Sequence, residues 1–483
     1  MPTLALSPAP PPYSPTAASP LQALLIIGIH APPRDGPQAP ARFETARRMV
    51  SRGDPGAFLT ASEGRARGFW ARGPRWVAHA GVLGEVTAPR GGDRFRAVAR
   101  AADAWAGMGD GREALRFYGG FSFREDHEPK EHWQAFPSGL FHLPLVEYDG
   151  EGEGPARLRV RVPAGEDAET ARATAEARAD ALVARLEAAR EAHGAPEGDI
   201  GVRTRAGERD RWLAAVERTL EAIRGGSLSK AVLARTLDVD LDRPLETVDV
   251  VLALWHQHPG THAFLFEPRP GTRLLGAAPE ALATLRDGRV TATAVAGSVR
   301  RGAYPDEDRA LARGLLESRK DRAEHRVVVE DMVARLSPLT DGVTAQDEPH
   351  VLTLARIQHL ETEIEAAARA DAPILSLVEA LHPTPAVCGV PRDQALAFLQ
   401  EVEPFHRGWY AGPVGWFDSE GEGHFVPALR TAVGEGERWR LYAGAGIVDG
   451  SDPASEWEET AIKFVPVLRA LAASGAALEG VVP

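Results

Sequence analysis

The hydrophobic pattern changes character about a third of the way along the chain. From Leu21 to about Pro163, short apolar runs such as Trp76–His79 and Leu158–Val162 alternate with Gly, Pro and charged clusters, which predicts strands joined by long loops. The apolar stretch Leu24–Ile29 is too short to cross a bilayer and reads as a buried strand. Residues 167–193 turn to Ala, Glu and Arg, with Leu182, Val183 and Leu186 in helical spacing, so a helix with one modest apolar face is expected. In a second helix Trp212, Leu213, Val216, Leu220 and Ile223 recur at intervals of three and four, and Gly225-Gly226 marks its stop. Lys230 then opens a strand in which Leu233, Leu237, Val239 and Leu241 share one face, so Lys230 projects from the other. Ahead of these elements, residues 2–20 are rich in Pro, Ala and Ser, and an unstructured tail is expected over 1–20.

Composition narrows the picture. With 44% hydrophobic and 25% charged residues over 483 positions, the chain is globular and long enough to bury a large site. Its net charge of −13 offers no general positive field, which argues against nucleic acid and anionic membrane as partners. An anionic substrate would need Lys, Arg or a metal gathered locally. Cys388 is the single cysteine, so no intrachain disulfide forms, and with no long apolar span a cytoplasmic protein is expected.

Two acidic pairs carry possible chemistry: Asp321 with Glu324, and Glu456 with Glu459. A spacing of three puts each pair on one helix face. In the second helix Trp457, Ala461, Phe464, Val465 and Leu468 form the opposite apolar stripe, leaving Glu456, Glu459 and Lys463 together. Four carboxylates from two helices suit Mg²⁺, a hard ion that prefers oxygen, although two solvated helix faces are the commoner meaning of such pairs. Lys230 and Glu280, the latter in Gly276-Ala277-Ala278-Pro279-Glu280, are weak signals alone: most lysines lie on surfaces, and an acid after Pro is an ordinary helix first-turn residue. Gly444-Ala445-Gly446 fits an anion nest or a tight hairpin turn. There is no dinucleotide fingerprint, P-loop, HExxH, GxSxG or paired-cysteine motif, which removes nucleotide, zinc and serine-hydrolase readings.

Taken in order, Lys230-Ala231-Val232-Leu233-Ala234-Arg235, Leu275-Gly276-Ala277-Ala278-Pro279-Glu280, Ala296-Gly297-Ser298-Val299-Arg300-Arg301-Gly302, Lys320-Asp321-Arg322-Ala323-Glu324-His325, Leu381-His382-Pro383-Thr384-Pro385-Ala386, Ala443-Gly444-Ala445-Gly446-Ile447-Val448 and Glu456-Trp457-Glu458-Glu459-Thr460 resemble the blocks of the chorismate-utilising enzymes. The resemblance covers roughly residues 205–472 and is weaker before that. Lys230, where the anthranilate type carries Gln, resembles members that activate water rather than ammonia, and Ala386 resembles the isochorismate synthases. Ala278 stands where Ser is usual, and Asp321 is one methylene shorter than the Glu of many relatives.

The resemblance implies that Lys230 is the general base and Glu280 the general acid. It implies Glu324 and Glu459 as direct ligands of Mg²⁺, with Asp321 and Glu456 as the outer pair. Substrate contacts are implied for Gly297, Ser298, His359, Thr384, Ala386, Arg430, Gly444, Ala445, Gly446 and Lys463, Arg430 taking the pyruvyl carboxylate. The implied activity is isochorismate synthase, an isomerase acting on chorismate. The alternatives are salicylate synthase, an aminating anthranilate or aminodeoxychorismate synthase component, and a catalytically inactive chorismate-binding protein. The implied fold is α+β, two large, mainly antiparallel sheets face to face with helices outside, in a single domain over 21–475 followed by a tail at 476–483. A monomer without a glutaminase partner is expected, and the long chain before residue 205 leans toward menaquinone over siderophore synthesis.

Overall fold

Two long strands, Arg75–Ala88 and Gly139–Glu151, pair antiparallel along their length and tie the molecule together. The computed structural model describes residues 42–105, 107–108, 111–165, 167–188, 198–203, 207–241, 245–473 and 476–477. The tail expected over 1–20, the run Leu24–Ile29, the end of the helix expected over 167–193 and residues 478–483 lie outside these.

From one end of this long strand pair, pairing runs through Arg67–Arg72, His262–Arg269, Thr272–Ala278, Thr431–Glu435 and Arg438–Ile447 to Lys230–Leu241. From the other end it runs through Arg116–Phe121, Pro413–Asp418, Gly423–Pro427, Ala283–Arg286 and Arg289–Arg300 to Ile357–Ala368. Every one of these pairings is antiparallel; among the described residues only Gly198–Arg203 and Ala476–Ala477 pair in parallel.

Strand alternation sorts the side chains. In His262–Arg269, Phe264 and Phe266 point into the space between the two sheets, where they join Leu274 and Tyr442 from the first sheet and Val414 and Val426 from the second. Ala263 and Leu265 point outward, against the helix Thr247–Gln257 and into the apolar layer that the helices Ala168–Ala188 and Pro453–Ala473 help to form. The helices Arg94–Asp103, Arg319–Leu336 and Ile374–Leu381 cover the outside of the second sheet. This is the α+β two-sheet arrangement that the sequence resemblance implies, with the sheets continuous through the shared pair of long strands.

Local expectations fare unevenly. The helix Glu208–Arg224 ends at Gly225, and the strand Lys230–Leu241 begins where expected. The helices Pro55–Ala61 and Arg94–Asp103 correct the reading of the first third as strands and loops only. In the second, Phe95, Val98 and Ala102 are buried at helical spacing, and that periodicity is masked by the arginines between them. Gly444-Ala445-Gly446 is neither nest nor turn: it is extended and pairs with Ala234, Leu233 and Val232.

Candidate active site

One cavity opens between the sheets, under the first turns of the helices Arg319–Leu336 and Pro453–Ala473. Lys230, Glu280, Gly297, Ser298, Asp321, Glu324, His359, Ala386, Arg430, Gly444, Gly446, Glu456, Glu459 and Lys463 all line it. Thr384 and Ala445 do not. Thr384 is buried in the turn whose carbonyl accepts from the Val387 and Cys388 amides, and alternation turns the Ala445 side chain away from that of its cavity-facing neighbours.

Local chemistry aims each group. Ser318 caps its helix by accepting from the Asp321 amide at 3.2 Å, which fixes the turn that presents Asp321 and Glu324. Asp452 performs the same service for the second helix, accepting from the Ser455 amide at 2.8 Å. Alternation in the strand Lys230–Leu241 sends Lys230 and Val232 into the cavity. Gly297 sits at a bulge between Ala296 and Ser298 with φ of +78°, and a Cβ there would lie 3.1 Å from the Asp321 Cβ. The close approach that this glycine permits is therefore between strand and acidic helix. A Cβ on Gly446 would fall 2.5 Å from Glu324 Oε1 and 3.2 Å from Lys230 Cε, so a bare backbone is needed for those side chains to meet.

The cavity mixes four cations with five carboxyl groups. Lys230 Nζ lies 2.7 Å from Glu324 Oε1, Lys463 Nζ lies 2.7 Å from Glu459 Oε1 and donates to the Gly444 carbonyl at 2.8 Å, and Lys320 Nζ lies 3.6 Å from Glu456 Oε1. Glu280 has no such direct partner among the ion pairs of the described residues. Burial pushes its carboxyl up to about 8, against the opposing pull of Lys463, Lys230 and Arg430. Burial and the neighbouring Glu459 push Glu456 up to about 7, and Asp321 is raised by burial and by Glu324.

Arg430 Nη2 donates to His359 Nε2 at 3.2 Å, and His359 Nδ1 is 2.9 Å from Ser298 Oγ. Because a guanidinium can only donate, Nε2 accepts and the proton sits on Nδ1, facing Ser298. Burial and the adjacent Arg430 hold this imidazole neutral, well below its usual range. The buried Arg430 is itself lowered to about 10 by burial.

The four acids have the donor chemistry of a Mg²⁺ site: hard oxygens, with two of the four carboxyls raised by burial and by the carboxylates beside them. As they stand, no three Asp, Glu, His or Cys side chains among the described residues are gathered closely enough to hold an ion, and Glu324 and Glu459 are paired with Lys230 and Lys463.

Tyr410, Tyr442 and Lys320 also line the cavity and were missed from sequence. The tyrosine rings stack with centroids 5.0 Å apart. Tyr442 could have been found, since it alternates onto the same strand face as Gly444 and Gly446.

Comparison with known proteins identifies the family. A family model described as chorismate binding enzyme matches residues 40–472. A salicylate biosynthesis isochorismate synthase from Pseudomonas aeruginosa is 39% identical over 371 residues, 76% of each chain. Isochorismate synthase MenF from Bacillus subtilis is 35% identical over 356 residues, 73% of this chain and 74% of the relative. The solved structure of the menaquinone-specific isochorismate synthase MenF from Escherichia coli superposes with a TM-score of 0.72 at 27% identity, covering 90% of this chain and 96% of that one. With the ordered sequence blocks converging on one cavity and a family match spanning nearly the whole chain, this protein belongs to the chorismate binding enzymes.

Proposed function

We propose that the protein is an isochorismate synthase that interconverts chorismate and isochorismate with Mg²⁺. The observation that carries this reading is the pairing, in one cavity, of a buried amine, Lys230, with a buried carboxyl, Glu280, raised to about 8 and so protonated at neutral pH. In the forward direction Lys230 takes a proton from water as its oxygen bonds to ring C2. The double bond shifts, and the C4 hydroxyl departs with the proton of Glu280. Nothing is gained or lost overall, as an isomerisation requires.

In the ion pair with Glu324 the Lys230 amine is an ammonium, so it must release a proton to solvent as Glu324 turns away before it can act as base, and the same turn would free Glu324 as a metal ligand. Glu324 and Glu459 would hold Mg²⁺ directly, with Asp321 and Glu456 around them. When bound, the ion supplies positive charge for the ring carboxylate. Arg430, fixed by His359, grips the pyruvyl carboxylate. Ala386, the residue that the sequence resemblance links to isochorismate synthases, lies on the wall of the same cavity. Among the described residues no helix is long and apolar enough to cross a membrane, and a cytoplasmic, monomeric enzyme is the working expectation.

Incubation with chorismate and Mg²⁺, followed by chromatography, tests the reading. Accumulation of isochorismate is expected. Salicylate with pyruvate, an ammonia-dependent amino product, or binding without turnover would each replace it.

A further inference from the structure

We propose that Arg407, oriented by Glu403, is a positioning residue that ties the strand carrying Lys230 to the loop carrying Ala386, setting two walls of the reaction cavity against each other. Among the described residues, the strand Lys230–Leu241 has no paired strand along part of one edge. There, Gly389–Val390 pairs only with Ala231 and Lys230, and pairing resumes at Asp238 with Arg203. Between these points the Val232 amide donates to the Cys388 carbonyl at 2.7 Å, while the Val232 carbonyl and the Ala234 amide need partners from elsewhere.

A buried ion pair supplies both. Arg407 Nη2 donates to the Val232 carbonyl at 2.6 Å, and its Nη1 donates to the Val387 carbonyl at 2.9 Å. Glu403 Oε2 accepts from Arg407 Nε at 2.8 Å, while its Oε1 accepts from the Ala234 amide at 2.9 Å. Both side chains are buried, at 4% and 6% exposure, and the guanidinium lies over the Phe123 ring. Val232 and Val387 both line the cavity; the first is two residues from Lys230 and the second adjoins Ala386. One rigid fork thus spans two separate segments of cavity wall. A lysine, with a single mobile ammonium, cannot reproduce that geometry.

This inference rests on the isochorismate synthase reading for the role of Lys230. The experiment compares R407K, R407M and E403Q, each alone and combined with K230A, by steady-state kinetics and by single-turnover consumption of chorismate with enzyme in excess, after thermal unfolding has confirmed folding. R407K and E403Q should fold and lose about 10²-fold in kcat, the scale expected when a reacting group is displaced by about 1 Å. KM for chorismate should stay within about threefold, and in the K230A background the same substitutions should cost less than about threefold, because they act through Lys230. Wild-type kcat in R407K and E403Q would overturn the proposal. So would an equal loss in both backgrounds, the signature of general loosening. If R407M does not fold, R407K and E403Q decide. Absence of isochorismate with the wild-type protein would instead defeat the assigned reaction, a separate outcome.

Discussion

Two glutamates, both almost inaccessible to solvent, titrate in opposite directions. Glu147, in the long strand Gly139–Glu151, is 1% exposed, and Glu280, in the cavity, is 6% exposed. Burial raises the pKa of either. At Glu147 the guanidiniums of Arg161, Arg116 and Arg159 outweigh it, at 3.1, 3.2 and 3.5 Å, and hold the carboxyl down at about 2. At Glu280 the nearest cations are not in contact, burial wins, and the group rises to about 8. The contrast shows that burial of an acid says little by itself: direct partners separate a structural carboxylate from one that retains a proton to donate.

Substitution sharpens the contrast. Glu280→Gln should lower kcat by about 10²–10⁴-fold, the usual contribution of a positioned acid, and leave the fold intact. Lys230→Ala should do the same, and normal turnover in either variant would remove that residue from the chemistry. Glu147→Gln should act the other way round, sparing the kcat of the folded enzyme and costing about 3–5 kcal/mol in denaturant unfolding, because buried arginines lose their counter-charge. Comparable stability loss for Glu280→Gln would erase the distinction.

The pH dependences diverge as well. Only the protonated form of Glu280 can donate, so forward kcat/KM should fall as pH rises through about 8. The folded pKa of Glu147 is depressed, so its contribution to stability is complete above its unfolded value of 4.5 and is lost as pH falls toward about 2. Glu324→Ala tests the metal site apart from the two proton-transfer groups. It should retain the fold and lose the response to added Mg²⁺, measured as the change in rate across a metal titration; an unchanged response would take Glu324 out of the metal site.

The same contrast explains what could be read along the chain. Helix spacing put Asp321 beside Glu324 and Glu456 beside Glu459, and alternation put Lys230 opposite Leu233; these are local rules, and the fold obeys them. The Glu147 network was invisible, because Arg116, Glu147, Arg159 and Arg161 meet only through the pairing of strands, and each alone looks like an ordinary polar position. The misreading of Gly444-Ala445-Gly446 has the same origin. Small residues commonly mark a turn, but here they leave a strand bare where Lys230, Glu324 and Lys463 crowd against it. The Arg407 clamp likewise joins residues from three separate segments.

The most direct measurement of the chemistry assigned to Lys230 and Glu280 is turnover of unlabelled chorismate in H₂¹⁸O with Mg²⁺, with the product analysed by mass spectrometry at low conversion. Isochorismate carrying one ¹⁸O at C2 is predicted, since the incoming oxygen is solvent water and the original C4 hydroxyl leaves. Unlabelled isochorismate would mean that the hydroxyl migrates within the substrate, contradicting the roles of Lys230 as base and Glu280 as acid.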